Sequence, residues 1–393
     1  MTPHSQRTPE QSRILRLLRD RGPCTRAELV SLTGVSRSRL AGELDELATV
    51  GLVQRDGPGV SRGGRPSPLV ALADDLRFVG VDLGATSVAV GVANSRLDLL
   101  AFVEEPVDIR DGPRKVLAQV RDLITKVSGE VGTDRPSGIG IGVPGPVSYR
   151  DGVPVSPPLM PGWHHYPLRD QVAREYGCPV TVDNDVNLMA VGERWGGVAK
   201  GMDDFLFVKI GTGIGSALVM NGAVYRGIAG CAGDIGHIRV DDEPLCPCGS
   251  RGCLEATFGG AALARQATAA ATSSESTVLA DLLARNGVLT AVDVGVAARH
   301  GDPVAVRLIR SGGQRLGNVL AGLVNFMNPP LVVVSGGVSR LGHVLLAEIR
   351  QTVYSRAMPL ATGNLPIVLS EIGETAGVLG AVVAASDQIF STL

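Results

Sequence analysis

The sequence predicts an α/β protein in which an N-terminal winged helix-turn-helix precedes a larger, two-lobed domain. Three observations support this fold class. Residues 1–72 show three short helix patterns followed by a hairpin pattern. Two strand–glycine turn–strand segments then recur about 130 residues apart, which indicates an internal duplication. A chain of 393 residues is also too long for one ordinary hydrophobic core.

These patterns set the expected domain boundaries. The winged helix-turn-helix is expected at residues 1–72 and the two-lobed domain at 76–393. Lobe one would span about 76–183 and include a C-terminal helix at 375–393, whose small residues suit close packing. Lobe two would span about 184–374.

Composition narrows the class of protein. Apolar residues make up 44% of the chain and charged residues 19%, which favours ordered cores over disorder. No apolar leader and no run of 18 apolar residues occurs, so we expect a cytoplasmic protein without a membrane segment. The six cysteines, three of them clustered, fit a reducing compartment better than a disulfide framework.

Charge is distributed unevenly along a chain whose net charge is −2. Residues 1–70 contain 11 arginines, no lysine and 7 acidic residues, a net charge of +4. The remainder carries a net charge of −6. This asymmetry indicates contact with double-stranded DNA by the N-terminal segment only.

The helix-turn-helix is predicted from start and stop signals. Residues 8–20 form a helix pattern with Ile14, Leu17 and Leu18 on one face. The Gly-Pro pair that starts at Gly22 stops this helix.

A capping box from Thr25 to Glu28 opens a second helix that ends near Gly34. A third helix begins at Ser36, and its inward-facing residues are expected to be Leu40, Leu44 and Leu47.

Candidate DNA contacts lie on the third helix and on the hairpin. At the start of that recognition helix, the candidates for base or phosphate contact are Ser36, Arg37, Ser38 and Arg39. The hairpin tip carries Arg62 and Arg65, which suit a minor groove. A helical bundle with an arginine-rich solvated face is the alternative, but the order and lengths of the elements favour DNA binding.

The two glycine turns are candidate phosphate cradles. Each runs into a second strand rather than a helix, which argues against a P-loop or a dinucleotide-binding unit. Facing turns can hold phosphates with backbone N–H groups, and a later turn can lie beside an adenine. The candidate residues are Asp82, Gly84, Thr86, Gly211, Thr212, Gly213, Gly336 and Gly337. Ordinary tight hairpins and a plain strand-to-helix turn are the alternatives.

A polar cluster at 183–187 separates a predicted strand from an amphipathic helix. The helix dipole stabilises Asp185 as a carboxylate near the helix start. That carboxylate can accept a hydrogen bond from a sugar hydroxyl, or its proton if the hydroxyl attacks a phosphate. Helix capping by Asn184 or Asp185 is the alternative.

Three cysteines fall within eight residues, with a histidine a short loop upstream. Three thiolates and one imidazole complete a tetrahedral set of zinc ligands, and the candidate ligands are His237, Cys246, Cys248 and Cys253. Gly249 and Gly252 allow the tight backbone that would aim the sulfurs inward. A reduced, metal-free turn is the alternative. Asp234 and Glu255 lie in the same segment, and because zinc does not need them, they indicate a second use of the site.

Together these motifs resemble the ROK family (repressors, open reading frames and kinases). The most specific part is the segment 233–255, supported by the segments 82–86, 183–187 and 211–215. The resemblance covers nearly the whole chain. It implies two actin-like, ribonuclease-H-like lobes around a sugar cleft, and members with an N-terminal winged helix-turn-helix are sugar-responsive transcription factors.

The resemblance also implies residue roles. The sugar would be lined by Asn184, Asp185, Asp234, His237 and Glu255. The zinc ligands would be the four residues already named, with His237 serving metal and sugar through its two ring nitrogens. Two positions depart from the family pattern. Ala85 replaces the second glycine of the first phosphate loop, which weakens the case for ATP. Asp234 replaces a glutamate, which changes the reach of that carboxylate and puts glucose in doubt as the ligand.

Three functions are compatible with these features. The first is a homodimeric or homotetrameric repressor of carbohydrate-utilisation genes, whose affinity for a palindromic operator changes with a sugar, amino sugar or sugar phosphate. The second is a sugar kinase with a regulatory head, in which Asp185 is the catalytic base and ATP with Mg²⁺ the cofactor. The third is a constitutive DNA-binding protein whose sugar domain is only a dimerisation platform.

Overall fold

The structure is a computed structural model that describes residues 7–58, 67–133, 135–341 and 343–391. It contains a winged helix followed by two α/β lobes, as the sequence predicts. Within the described residues, every helix is too short or too polar to span a membrane.

The N-terminal domain contains three helices and a three-stranded sheet of order β1-β3-β2. Its elements are α1 (Pro9–Arg21), β1 (Cys24–Thr25), α2 (Arg26–Thr33), α3 (Arg37–Thr49), β2 (Val53–Pro58) and β3 (Pro68–Leu72). The predicted capping box at Thr25 is confirmed, and so is the end of α2 at Gly34, which is left-handed. Leu40, Leu44 and Leu47 are buried as expected.

The inward face of α1 differs from the prediction at two positions, Leu15 and Leu17. Ile14, Leu15 and Leu18 are fully buried, whereas Leu17 is only half-buried. The reason is that α1 has two partners: it packs on its own domain and also against the C-terminal helix of the chain. The contact with the C-terminal helix extends the buried face toward Leu15 and Arg19, and it leaves Leu17 at the margin of that face.

The first lobe is built on a five-stranded sheet of order β10-β7-β4-β5-β6. Its elements are β4 (Phe78–Leu83), β5 (Ser87–Ala93), β6 (Leu99–Pro106), α4 (Pro113–Val131), β7 (Gly138–Val143), β8 (Val147–Ser148), β9 (Val153–Pro154), α5 (Leu168–Tyr176) and β10 (Val180–Asn184). β4, β5 and β6 are antiparallel neighbours, whereas β4, β7 and β10 run parallel.

The second lobe repeats this strand order as β15-β14-β11-β12-β13. The remaining elements are α6 (Asp185–Gly196), β11 (Phe205–Ile210), β12 (Ile214–Met220), β13 (Ala223–Tyr225), α7 (Leu254–Phe258), α8 (Gly260–Thr272), α9 (Thr277–Asn286), α10 (Ala291–Arg299), α11 (Pro303–Met327), β14 (Val332–Ser335), α12 (His343–Arg356), α13 (Pro359–Thr362), β15 (Ile367–Leu369) and α14 (Thr375–Phe390). Both sheets therefore combine one antiparallel meander with two parallel strands, which confirms the predicted duplication.

Helices α6 and α14 pack against each other between the two sheets. α14 lies on β4 and β7, and α6 packs on β12. A Cβ at Gly192 would collide with the carbonyl of Ala376, and one at Gly380 would collide with that of Leu188. The predicted close packing of the final helix is therefore confirmed, and it makes α6 and α14 a tight central pair.

Candidate functional site

One cavity of about 820 Å³ opens between the lobes in the described part of the chain. It is lined by all five predicted sugar-binding residues: Asn184, Asp185, Asp234, His237 and Glu255. It is also lined by all eight predicted phosphate-loop residues: Asp82, Gly84, Thr86, Gly211, Thr212, Gly213, Gly336 and Gly337. The fold thus brings residues as far apart in sequence as Asp82 and Gly337 into one cleft.

The two acids of the first lobe meet at the carboxyl edge of its sheet. Asp82 belongs to β4, and Asp185 follows β10, while β7 lies between these strands. Gly142 of β7 is aligned with both Asp82 and Asp183. A Cβ at Gly142 would lie 3.3 Å from Asp82 Oδ1 and 3.3 Å from Asp185 Cα. The glycine therefore leaves room for the acids to approach each other.

Asn184 has the capping role that the sequence left open. Its Oδ1 accepts hydrogen bonds from the backbone N–H groups of Val186 (3.0 Å) and Asn187 (3.3 Å). Its Nδ2 donates to the carbonyl oxygen of Gly145 at 3.0 Å. An amide nitrogen carries two hydrogens, so one donor remains for a ligand in the cleft.

Asp185 is paired with Lys209, a residue that the sequence did not single out. The Lys209 ammonium donates to Asp185 Oδ2, and Asp185 is 4% exposed. Burial alone would lower the pKa of Lys209, but the carboxylates of Asp185 and Asp82 outweigh this effect and raise that pKa. Lys209 is therefore a permanent cation inside the cleft.

Asp82 lacks a comparable direct partner. Its Oδ1 is buried and makes no hydrogen bond to any described residue. Burial raises the pKa of Asp82 to about 6; Lys209 opposes this shift, and Asp185 adds to it. The carboxylate also fills the space beside Gly377 of α14, where a Cβ would collide with it.

A second missed residue, Arg226, joins the lobes. Its Nε and Nη2 donate to Oδ2 of Asp183 at 2.9 Å and 2.6 Å. Asp183 is 2% exposed, and its Oδ1 accepts from the Asn187 side chain at 3.0 Å. The Arg226 guanidinium also lies 4.1 Å from the centre of the Tyr149 ring. No local sequence signal points to Arg226, because it follows β13 and its partner lies 43 positions away.

The glycine loops have structural reasons for their glycines. A Cβ at Gly213 would collide with the Glu255 carboxylate, and Gly336 has φ +92° with the Ile210 carbonyl close behind it. Backbone conformation and packing therefore require Gly336, whereas at Gly213 a side chain would have to displace the Glu255 carboxylate from its present position. Ala85 lines the same cavity, and its carbonyl accepts from the Ile109 backbone at 3.2 Å.

The four candidate metal ligands form one cluster. One ring nitrogen of His237 and the sulfur atoms of Cys246, Cys248 and Cys253 all lie within 4.8 Å of one another. Cys246 Sγ lies 3.6 Å from His237 Nδ1, and Cys248 Sγ lies 3.7 Å from Cys253 Sγ. This donor set could hold a metal ion. Gly249 and Gly252 have φ values of +91° and +70°, as the tight turn requires.

The local environment acts differently on the thiols. A hydrogen bond from the Ser250 backbone N–H lowers the pKa of Cys248 to about 7. Burial raises the pKa of Cys246 well above its usual range. Metal ligation requires thiolates, so a bound cation would supply the charge that the buried Cys246 lacks.

Glu255 links the metal cluster to the cleft. Its Oε1 lies 3.5 Å from Cys246 Sγ and 3.7 Å from His237 Nδ1, whereas its carboxylate also lines the cavity. Glu255 is in the first turn of α7, which begins directly after the ligand Cys253. Asp234 is open to the cleft; the loss of water around its carboxyl raises its pKa, and nearby His237 opposes this shift.

The candidate DNA contacts lie on the surface at the start of α3. Ser36 is the N-cap, and the residues Ser36, Arg37, Ser38 and Arg39 are all exposed. Arg39 pairs with Glu10 at 3.0 Å and with Glu43 at 3.7 Å. The wing strands β2 and β3 form the predicted hairpin, but Arg62 and Arg65 lie outside the described residues.

The winged-helix domain of residues 9–72, called the head below, is joined to the central helices by Arg19 of α1. Its guanidinium donates to Asp387 Oδ1 at 2.9 Å and to Ser386 Oγ at 3.2 Å, both on α14. It also lies 4.9 Å from the centre of the Trp195 ring on α6. Arg19 is 8% exposed, so this contact is part of a buried interface. The sequence pattern of α1 did not predict it.

Comparison with known proteins assigns the larger domain to a family. The ROK family profile matches residues 78–388, and the MarR family profile matches residues 5–63. The glucokinase of Thermotoga maritima is 32% identical over 315 residues, which cover 80% of this chain and 98% of the glucokinase. The xylose repressor of Caldicellulosiruptor bescii is 28% identical over 397 residues, which cover 96% of this chain and 95% of the repressor.

A solved structure supports the complete architecture. A ROK family transcriptional regulator, a homologue of the E. coli MLC protein, aligns with a TM-score of 0.80 at 24% identity. The alignment covers 97% of this chain and 95% of that regulator, so the winged helix and both lobes share its fold. The profile match and the glucokinase similarity together show that this chain belongs to the ROK family.

Proposed function

We propose that this protein is a sugar-responsive transcriptional repressor of carbohydrate-utilisation genes. The similarity to a xylose repressor runs over 96% of the chain, so it includes the N-terminal DNA-binding region that the glucokinase match leaves out. The exposed start of α3 and the net positive charge of residues 1–70 suit an operator.

The observation that carries this proposal is the contact of the head with both central helices. Asp185 begins α6, and Trp195 follows about 15 Å further along that helix. Asp185 lines the cleft, whereas Trp195 contacts Arg19 of the head. Similarly, Gly377 in the first turn of α14 borders Asp82, and Asp387 in its last turn binds Arg19. A ligand that shifts α6 and α14 would therefore also shift the head.

In this proposal a sugar binds between the acids and the metal cluster. Asn184 offers its remaining amide hydrogen, and Asp185 offers Oδ1, because Oδ2 is taken by Lys209. Asp234 and Glu255 accept hydrogen bonds from further hydroxyls, and His237 contributes its Nε2. Carboxylates and amides that converge in a cleft are typical of sites that read sugar hydroxyls.

The metal in this proposal is zinc, held by His237 and the three cysteines. Tetrahedral zinc with bonds of about 2.3 Å to sulfur and 2.0 Å to nitrogen places sulfur pairs about 3.8 Å apart and sulfur–nitrogen pairs about 3.5 Å apart. The observed separations of 3.7 Å and 3.6 Å fit these values. Zinc on Nδ1 of His237 would fix the ring and its tautomer, so that Nε2 faces the sugar.

The partners follow from this assignment. A homodimer or homotetramer would present two recognition helices to a palindrome with half-sites one or two DNA turns apart. Ser36, Arg37 and Ser38 would contact bases or phosphates, with Arg39 beside them, and the wing residues Arg62 and Arg65 would reach the minor groove. A protein that acts on chromosomal operators works in the cytoplasm.

The test begins with operator selection from random double-stranded DNA by the full-length protein. A thermal-shift screen then compares D-xylose, D-glucose, amino sugars and the 6-phosphates of glucose and the amino sugars, because a ligand of the native state raises Tm. We expect the sugar that raises Tm to change operator affinity by about fivefold or more in fluorescence anisotropy. Operator affinity that is indifferent to every sugar that raises Tm would contradict the proposal.

The alternative is an ATP-dependent sugar kinase with a regulatory head. The observation in its favour is that Asp185 and the glycine loops share one cleft in a protein 32% identical to a glucokinase. Asp185 would be the base, and the loop residues already named would hold ATP and Mg²⁺. An ADP-release assay decides between the functions: sugar-dependent turnover that Asp185→Asn abolishes would favour the kinase.

A further inference from the structure

Lys209 stands out in the cleft because the strand around it is apolar. It lies on β11, two positions from Phe207 and four from Phe205, so all three side chains share the face that packs toward α6. The Lys209 side chain is 20% exposed, and its ammonium reaches the Asp185 carboxylate, whose side chain is 6% exposed. Taking both ions of such a buried pair out of water costs free energy, so the pair is expected to have a function that outweighs this cost.

A third charge completes the arrangement. Asp82 interacts electrostatically with both Lys209 and Asp185, and Gly142 separates the two acids at the sheet edge. Asp82 Oδ1 is buried without a hydrogen-bond partner among the described residues. One fixed ammonium therefore binds Asp185 directly and acts on Asp82 only through its charge.

Phosphoryl transfer would need a different occupant at this position. Mg²⁺ in such sites is bound by one or two carboxylates together with the substrate phosphates. A fixed ammonium beside both carboxylates repels a divalent cation at close range. It also occupies Asp185 Oδ2, so that only Oδ1 remains to face a sugar hydroxyl.

We propose that Lys209 is a built-in counter-ion of Asp185 that keeps a divalent cation away from the neighbouring carboxylates of Asp185 and Asp82, so that the cleft binds its ligand without binding the metal that phosphoryl transfer requires. This inference rests on the proposed function, since it explains how a kinase-like cleft serves as a sensor. Lys209 acts through Asp185 and is therefore a positioning residue. The free Oδ1 of Asp185 keeps its role as a hydrogen-bond acceptor.

Manganese titration of the full-length, zinc-loaded protein tests the proposal directly. Mn²⁺ is the probe, and bound Mn²⁺ is followed by the relaxation rate of water protons. We expect Lys209→Met to bind Mn²⁺ about tenfold more tightly than the wild type, because the nearby positive charge is lost. The double variant Lys209→Met/Asp185→Asn should return to the wild-type affinity, and the exposed control Lys200→Met should not change it.

Two results would overturn the proposal. One is a Lys209→Met protein whose Mn²⁺ affinity equals that of the wild type. The other is a wild-type protein whose Mn²⁺ affinity falls when Asp82 is replaced by asparagine, because the cation site would then be open despite Lys209. The second comparison does not use a Lys209 variant, so it decides the question even if Lys209→Met fails to fold.

The outcome is separable from that of the repressor proposal. Mn²⁺ affinity is measured without DNA and without sugar, whereas the repressor proposal depends on operator affinity with and without sugar. A protein whose operator binding ignores sugar can still exclude Mn²⁺ through Lys209, and the reverse also holds.

Discussion

The guanidinium of Arg19 lies 2.9 Å from the carboxylate of Asp387, and this contact joins the winged helix to the C-terminal helix of the ROK domain. The same guanidinium lies against Trp195 of α6, so one buried side chain contacts both helices that extend from the cleft. The head is therefore a packed part of the body at this point. Movement of α6 or α14 would therefore act directly on α1, which carries Arg19.

Arg19→Met should uncouple sugar from operator binding. The methionine fills much of the same volume but loses both hydrogen bonds to α14, so the head no longer follows the helix. We expect the effect of sugar on operator affinity to fall below about twofold, from a wild-type coupling of about fivefold or more. Fluorescence anisotropy with a labelled operator measures it. Arg21→Met, at an exposed position of the same helix, is the control and should retain the full sugar response. An Arg19→Met protein that also retains the full response would show that this contact has no part in the coupling.

Removal of the metal should abolish the sugar response before it abolishes DNA binding. His237 loses its fixed orientation without the metal, whereas the recognition helix belongs to another domain. The Cys253→Ser variant should behave like chelator-treated protein, and Cys178→Ala, in the core of the first lobe, should retain both metal and response. Zinc content by emission spectrometry and operator binding by anisotropy are measured together. Loss of DNA binding first would assign the metal a different role.

Arg226→Gln should lower the free energy of unfolding of the protein. It leaves the carboxylate of Asp183, which is 2% exposed, without its cation. Loss of one partner from a buried pair is destabilising, here by about 2–3 kcal/mol because Arg226 is itself partly exposed. Urea unfolding monitored by circular dichroism measures the change. The double variant Asp183→Asn/Arg226→Gln should recover part of the loss, and a single variant as stable as the wild type would show that the pair contributes nothing.

Asp82→Asn should stabilise the protein at neutral pH. Burial raises the pKa of Asp82 to about 6, above its ordinary value of 3.8, so the folded protein binds this proton more tightly than the unfolded chain does. The stability linked to that proton is present at low pH and is lost as pH rises through about 6. We therefore expect a gain of about 2–3 kcal/mol at pH 7.5, shrinking as pH falls toward 4.

Urea unfolding at pH 4.5 and pH 7.5 measures this difference. The exposed Asp281→Asn is the matched control, for which the two pH values should give the same small effect. An Asp82→Asn protein with no gain at pH 7.5 would mean that the Asp82 carboxyl is better solvated than its surroundings indicate.

The sequence predicted the parts of the molecule whose signals are local. Capping residues predicted the helices of the head, and the cysteine spacing predicted the cluster that includes His237. The duplicated hairpins predicted two lobes, and the matching strand order of the two sheets confirms this prediction.

The ion pairs that organise the cleft could not be predicted in this way. Lys209, Arg226 and Arg19 are single charged residues whose partners lie far away along the chain. Local pattern carries no information about such partners. Asn184 shows the same limit on a smaller scale, because only the structure reveals that its oxygen is used for capping and one amide hydrogen remains free.

The central claim is that the sugar cleft and the operator-binding head are energetically coupled, and calorimetry of sugar binding tests it most directly. Because coupling is reciprocal, operator DNA must change sugar affinity by the same factor by which sugar changes operator affinity. Sugar is titrated into the full-length protein alone and into its complex with saturating operator. For a sugar that releases the repressor, we predict affinity about fivefold or more weaker in the complex. Equal sugar affinity with and without operator would contradict the account.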